Sequence, residues 1–123
     1  MLTDTFFEIL HHEGVAAIAT FGAEPHLVNT WNSYIQVTDG RHLLIPAGGM
    51  HQTQKNIAAN PKVLLTLAAR EVAGRGGQPG AGFLVTGTAE FLSGGEDFDR
   101  VKAKFDWARA ALKITVESAT QTL

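Results

Sequence analysis

The stretch Leu27-Val28-Asn29-Thr30-Trp31-Asn32-Ser33-Tyr34-Ile35 begins and ends like a β-strand but concentrates amides and hydroxyls beside two aromatic rings. A half-buried strand alternates apolar and polar side chains with a period of two. Here Leu27, Asn29, Trp31, Ser33 and Ile35 would share one face, and Val28, Thr30, Asn32 and Tyr34 the other, so each face mixes both kinds. Amides and hydroxyls clustered beside a Trp and a Tyr suit a flat, heteroatom-rich ring, which needs polar contacts at its edge and aromatic contact on its face.

A second constellation is Gly48-Gly49 running into a helix start near Gln52 and Thr53, with His51 in the same loop and Lys55 a turn further on. Glycines let a backbone approach an anion closely, first-turn amides are unpaired donors, and the helix dipole favours negative charge there. The pattern is neither the Walker loop nor the dinucleotide fingerprint, and Gly-Gly after a strand also reads as a plain turn.

Trp107 is the third feature. At about 100° per residue, Phe98, Val101, Phe105 and Ala108 share one helical stripe while Trp107 projects among Arg100 and Lys104. If the helix persists to residue 107, the Trp needs cover from a partner subunit or a bound ring. If it ends by Asp106, Trp107 folds back into the core.

The elements that must position these residues follow from local signals. Thr5-Phe6-Phe7-Glu8 matches a capping box and Gly14 supplies a stop, which predicts a short N-terminal helix. Residues 15–20 read as a strand, 21–25 as a turn, and the polar-centred segment as a strand continuing to Val37. Asp39-Gly40 is a hairpin signal that sets residues 41–47 antiparallel to it. A helix over 52–60 stops at Asn60-Pro61, strands follow over 62–70 and 83–92 around a mobile Gly-rich loop at 74–82, a helix starts near Glu96, and the last strand covers 111–118. Together these predict one domain, mainly β: a six-stranded antiparallel split or nearly closed barrel with short flanking helices.

Composition narrows the function. The chain has 123 residues and a formal net charge of −2, which gives no electrostatic support to nucleic-acid or membrane-surface binding. With no Cys there is no disulfide, thiolate nucleophile or iron–sulfur cluster, which fits a reducing compartment. No apolar run approaches the roughly 20 residues that span a bilayer, so a cytoplasmic protein is expected. His11 and His12 diverge on a helix, no His pair has chelating spacing, and His26 and His42 read as strand-surface residues. Ser33, Ser93 and Ser118 lack a nucleophile elbow, and Glu13 reads as a solvated helix-terminal acid.

Taken together, Thr5 to Glu8, Gly14-Val15, Ala17 to Thr20, Pro25 to Tyr34, Gly48-Gly49-Met50-His51, Val72-Ala73-Gly74-Arg75, Trp107 to Leu112 and Gln121-Thr122-Leu123 resemble, from end to end, the small FMN-binding proteins of sulfate-reducing bacteria, within the pyridoxamine-phosphate-oxidase-like split-barrel group. The resemblance implies a homodimer with one non-covalent FMN per subunit at the interface. It implies that Asn29, Thr30, Trp31, Asn32, Ser33 and Tyr34 border the isoalloxazine, that Gly48 and Gly49 line its approach, and that the loop through His51, Gln52 and Thr53 takes the phosphate. Trp107 and Leu123 would reach the flavin from the partner subunit, and Glu13 would lie near it. One departure stands out: the family carries a phosphate-pairing Lys where this chain has Gln52, leaving Lys55 or Arg70 to compensate. The function implied is electron carriage to or from a redox partner protein. The alternative is an FMN-dependent oxidoreductase of the pyridoxamine-phosphate-oxidase-like or flavin-reductase-like type, and a third reading is a structural or sensory flavoprotein. An enzyme acting on an anionic substrate calls for a cluster of Arg, Lys and His over the ring, and none is evident in the sequence.

Overall fold

The computed structural model describes residues 2–123. One seven-stranded antiparallel sheet, in the order β2-β1-β5-β6-β7-β4-β3, curls around a single main core. Its strands are β1 (Val15–Phe21), β2 (Pro25–Trp31), β3 (Gln36–Thr38), β4 (His42–Ala47), β5 (Lys62–Ala73), β6 (Pro79–Leu92) and β7 (Ala110–Gln121). The helices are α1 (Asp4–Ile9), α2 (His51–Ala59) and α3 (Glu96–Lys104). The expected split-barrel class holds, with seven strands instead of six.

The extra strand comes from the polar segment itself. Residues 32–34 form a 3₁₀ turn that divides the expected continuous strand into β2 and β3. Asn32 drives the break. It is fully buried, and its Nδ2 donates to Ala68 O at 2.8 Å and His12 O at 3.3 Å, contacts that a side chain in regular strand geometry would not make. Because β2 and β3 are the two edges of the sheet, this turn spans the split of the barrel.

Several local expectations shift in the same way. Thr3, not Thr5, caps α1, its Oγ1 accepting from Phe6 N, so that Phe6 and Ile9 lie on one face and both are buried. The β3–β4 hairpin turns at Asp39 (φ 54°) and Gly40 (φ 70°), the paired positive φ of a two-residue hairpin loop. Residues 74–82 are not an open loop: Gly74 N donates to Gln78 O at 2.8 Å, and 80–82 already belong to β6, where Gly82 O accepts from Thr122 N at 2.8 Å. A smaller apolar cluster of Leu44, Val101, Ala108 and Ala111 seats α3 on the outside of β4 and β7. Lys113 of β7 donates to the Asp97 carboxylate at 2.7 Å, which ties the same helix down.

Candidate functional site

A cleft of about 370 Å³ opens beside the split. Its walls are Val28, Asn29, Thr30 and Trp31 of β2, Tyr34 of the 3₁₀ turn and Pro46 of β4; its far side is Gly48, Gly49 and Met50, with Trp107 closing one end. Seven of the residues singled out in the sequence meet here: Asn29, Thr30, Trp31, Tyr34, Gly48, Gly49 and Trp107. Tyr34 and Trp107 stand 5.7 Å apart centre to centre, and Phe105 packs 4.9 Å from Tyr34 behind them. Trp31 and Trp107 keep 44% and 50% of their surface exposed, so the aromatic wall is available to a planar guest.

The helix ends before Asp106, as one of the two readings of Trp107 required, but the ring does not fold back into the core. α3 ends at Lys104, and the residues after it carry Trp107 into its own chain's cleft, half-exposed. A Cβ at Gly48 would lie 3.3 Å from the Trp107 ring, so the indole rests directly against the glycine backbone.

The start of α2 has the features of an anion site. Met50 sits at the N-cap in the left-handed region (φ 59°) and no side chain caps the helix. Its first-turn amides therefore have no capping acceptor. Thr53 is 1% exposed, and its Oγ1 has no partner among the described residues. Thr53 lines neither the cleft nor the hollow beside Gln52, so an oxyanion would reach this orphan hydroxyl only with a small shift of the helix start. Nothing within 4 Å would meet a Cβ at Gly49, so the space beside that backbone is open.

Arg109 is the residue that sequence reasoning missed. Its Nε donates to Gly48 O and Gly49 O at 3.1 Å, a second guanidinium nitrogen also reaches Gly49 O, and Nη1 donates to Gln54 Oε1 at 2.8 Å. The guanidinium thus draws the loop carbonyls to one side and fixes the loop to α2. No local pattern marks it. The contact spans about sixty positions and depends on β4 pairing with β7 at Ala47 and Ala110.

The other singled-out residues lie apart from the cleft. Asn32 is buried under the turn as described, and Ser33 Oγ donates to Glu13 at 2.9 Å, so Glu13 is engaged instead of freely solvated. His51 is exposed at the helix start. Gln52 donates to Asn56 Oδ1 at 2.9 Å and lines a separate hollow with Glu24 and His26. Leu123 lies with Arg70 and Arg75 at another groove, apart from its own chain's cleft.

A curled antiparallel sheet with an aromatic cleft at its split defines the class, and the chain belongs to the pyridoxamine 5'-phosphate oxidase family, whose profile matches residues 2–123. It is 58% identical over 124 aligned positions to the FMN-binding protein of Nitratidesulfovibrio vulgaris (strain DSM 19637 / Miyazaki F), covering 100% of both chains. In fold it is similar to HupZ of Group A Streptococcus, with a TM-score of 0.82 and 21% identity over 99% of this chain and 94% of that one. It is also similar to an FMN-binding protein from Syntrophomonas wolfei subsp. wolfei, with a TM-score of 0.76 and 14% identity over 99% of this chain and 86% of that one. Among the described residues no helix is long and apolar enough to cross a membrane.

Proposed function

We propose that the cleft binds FMN non-covalently and that the protein carries electrons between redox partners as a homodimer. The observation that carries this reading is the lining of the cleft: aromatic and small, with no Asp, Glu, His, Lys or Arg among its ten residues. Substrate turnover usually needs a committed proton donor or acceptor within hydrogen-bond reach of the reacting group. FMN supplies the one- or two-electron chemistry when bound. The chain's own residues orient and shield it: Trp31, Tyr34 and Trp107 offer ring faces, Asn29 and Thr30 offer edge hydrogen bonds, and the start of α2 with Thr53 offers donors to the phosphate. The 58% identity to a relative named an FMN-binding protein supports the same cofactor.

The homodimer is supported by the outer face of the sheet. Register brings Leu27 beside Ala19 and Leu64, Asn29 beside Ala17 and Thr66, and Trp31 beside Val15. Val15 and Leu27 are 50% and 69% exposed, an apolar surface running up to the cleft that a second copy would cover. An obligate interface of this kind buries on the order of 2,000 Å² or more.

The enzyme reading has one observation in its favour, the pair Arg70 and Arg75 lining one groove, though within a single chain that groove shares no residue with the cleft. Reduction assays separate the two. The carrier reading expects the yellow protein to exchange electrons with a small redox protein and not to turn over substrate. Steady oxidation of pyridoxamine phosphate, or nicotinamide-dependent reduction of added free flavin by the protein alone, would overturn it. A monomer at micromolar concentration with flavin bound would overturn the dimer.

A further inference from the structure

A hollow of about 510 Å³ lies away from the cleft, where the β5–β6 hairpin meets the C-terminal end of β7. Arg70, Arg75 and Gln78 line it, over a floor of Gly80 and Thr122. Neither arginine side chain makes an ion pair or hydrogen bond among the described residues. Glu71, next in the chain, pairs with neither. Leu123 lines the same groove; its O accepts from Gln121 Nε2 at 2.9 Å, and it forms no ion pair with either arginine among the described residues.

The backbone builds this arrangement. Between the pairs Ala69–Ala81 and Ala73–Pro79, β5 spends three residues opposite Gly80 alone, a bulge that buries Val72 while Arg70 stays exposed beside the groove. The floor is closely packed: Gly80 has φ 105°, which L side chains rarely adopt, and a Cβ on Gly74 would lie 2.1 Å from Gly80 O. Two unpaired guanidiniums facing one groove repel each other, and an oxyanion between them removes that repulsion while accepting forked N–H donors that nothing in the chain claims.

We propose that the Arg70–Arg75 groove is a binding site for a phosphate or carboxylate group. Within one chain it is separate from the cleft, and only its assignment to a cofactor phosphate rests on the flavin reading. The group has two sources: the phosphate of a cofactor held by a second copy, which would offset the missing cation at Gln52, or a free small anion. Titration of inorganic phosphate into the purified protein, followed by the amide NMR signals of Gln78 and Gly80, tests the site. Saturable shifts are expected, with Arg70→Gln and Arg75→Gln each weakening binding about tenfold and the distant Lys104→Gln leaving it unchanged. Shifts confined to protein loaded with riboflavin in place of FMN would assign the groove to a second copy's cofactor phosphate. Shifts in both forms would assign it to a free anion. No saturable shift in either form, or equal affinity in Arg75→Gln, would overturn the proposal.

Discussion

Two glycine-bearing segments of this chain use the same residue for opposite purposes. At Gly48-Gly49 the missing side chain leaves room: Gly49 faces open space, and Gly48 gives Trp107 a flat surface to rest on. At Gly74 and Gly87 it lets backbones touch, since a Cβ there would fall 2.1 Å from Gly80 O and 2.2 Å from Thr115 O. The first segment shapes a cavity, and the second allows the long β5–β6–β7 strands to bend and still pair. The cleft and the close packing of the long strands thus draw on separate parts of the chain.

The largest effect is expected in the packed segment. Gly74→Ala should cost about 3 kcal/mol in urea unfolding, because the backbone has nowhere to move. Unchanged stability would mean that the hairpin is looser than described. Trp31→Ala is the counterpart in the cleft: flavin binding should weaken by about 2 kcal/mol or more with little loss of stability, since the ring is nearly half-exposed. Loss of the aromatic face should also restore flavin fluorescence.

Arg109→Gln joins the two kinds of effect. Releasing the carbonyls of Gly48 and Gly49 should cost about 1 to 2 kcal/mol of flavin affinity, through a looser loop and not through a lost direct contact. Retained affinity would show that the loop holds its shape without the clamp. Gly49→Ala, in contrast to Gly74→Ala, should change stability by less than about 0.5 kcal/mol and reveal itself only in ligand affinity.

The smallest effect belongs to the α3 anchor. The hydrogen bond from Lys113 to Asp97 raises the lysine above its ordinary value, reinforced by the charges of Asp97, Glu90 and Asp39 and opposed by partial burial. Because the folded value is the higher one, the pair's contribution is complete below the ordinary lysine range and is lost as pH rises through the folded value. Asp97→Asn should therefore cost under about 1 kcal/mol at neutral pH, and the difference should vanish at strongly alkaline pH. A difference that persists there would assign the anchor to packing.

Contacts set by neighbours in sequence were legible, and those set by distant ones were not. Asp39-Gly40 specifies its turn through two adjacent residues that tolerate positive φ, and β4 follows from it. Asn29, Trp31 and Tyr34 could be grouped because their residue types suit a ring, whereas Gly48 and Gly49 joined them only through the family resemblance. The break at Asn32 was hidden, since its partners Ala68 and His12 lie 36 and 20 positions away and an Asn in a strand pattern reads as surface. Trp107 and Leu123 were singled out together, yet only Trp107 joins the cleft of its own chain. Arg70 and Arg75 met only once the β5 bulge was in place.

The central claim is that the cleft and the start of α2 together hold FMN, ring on one side and phosphate on the other. Paired titration of FMN and riboflavin against the wild-type protein and Thr53→Val tests it most directly. FMN should bind wild type more tightly than riboflavin does, and removing the orphan hydroxyl should narrow the gap by about 1.5 to 3 kcal/mol while leaving riboflavin binding unchanged. Equal affinity of the two flavins for the wild-type protein, or binding of neither, would contradict the account.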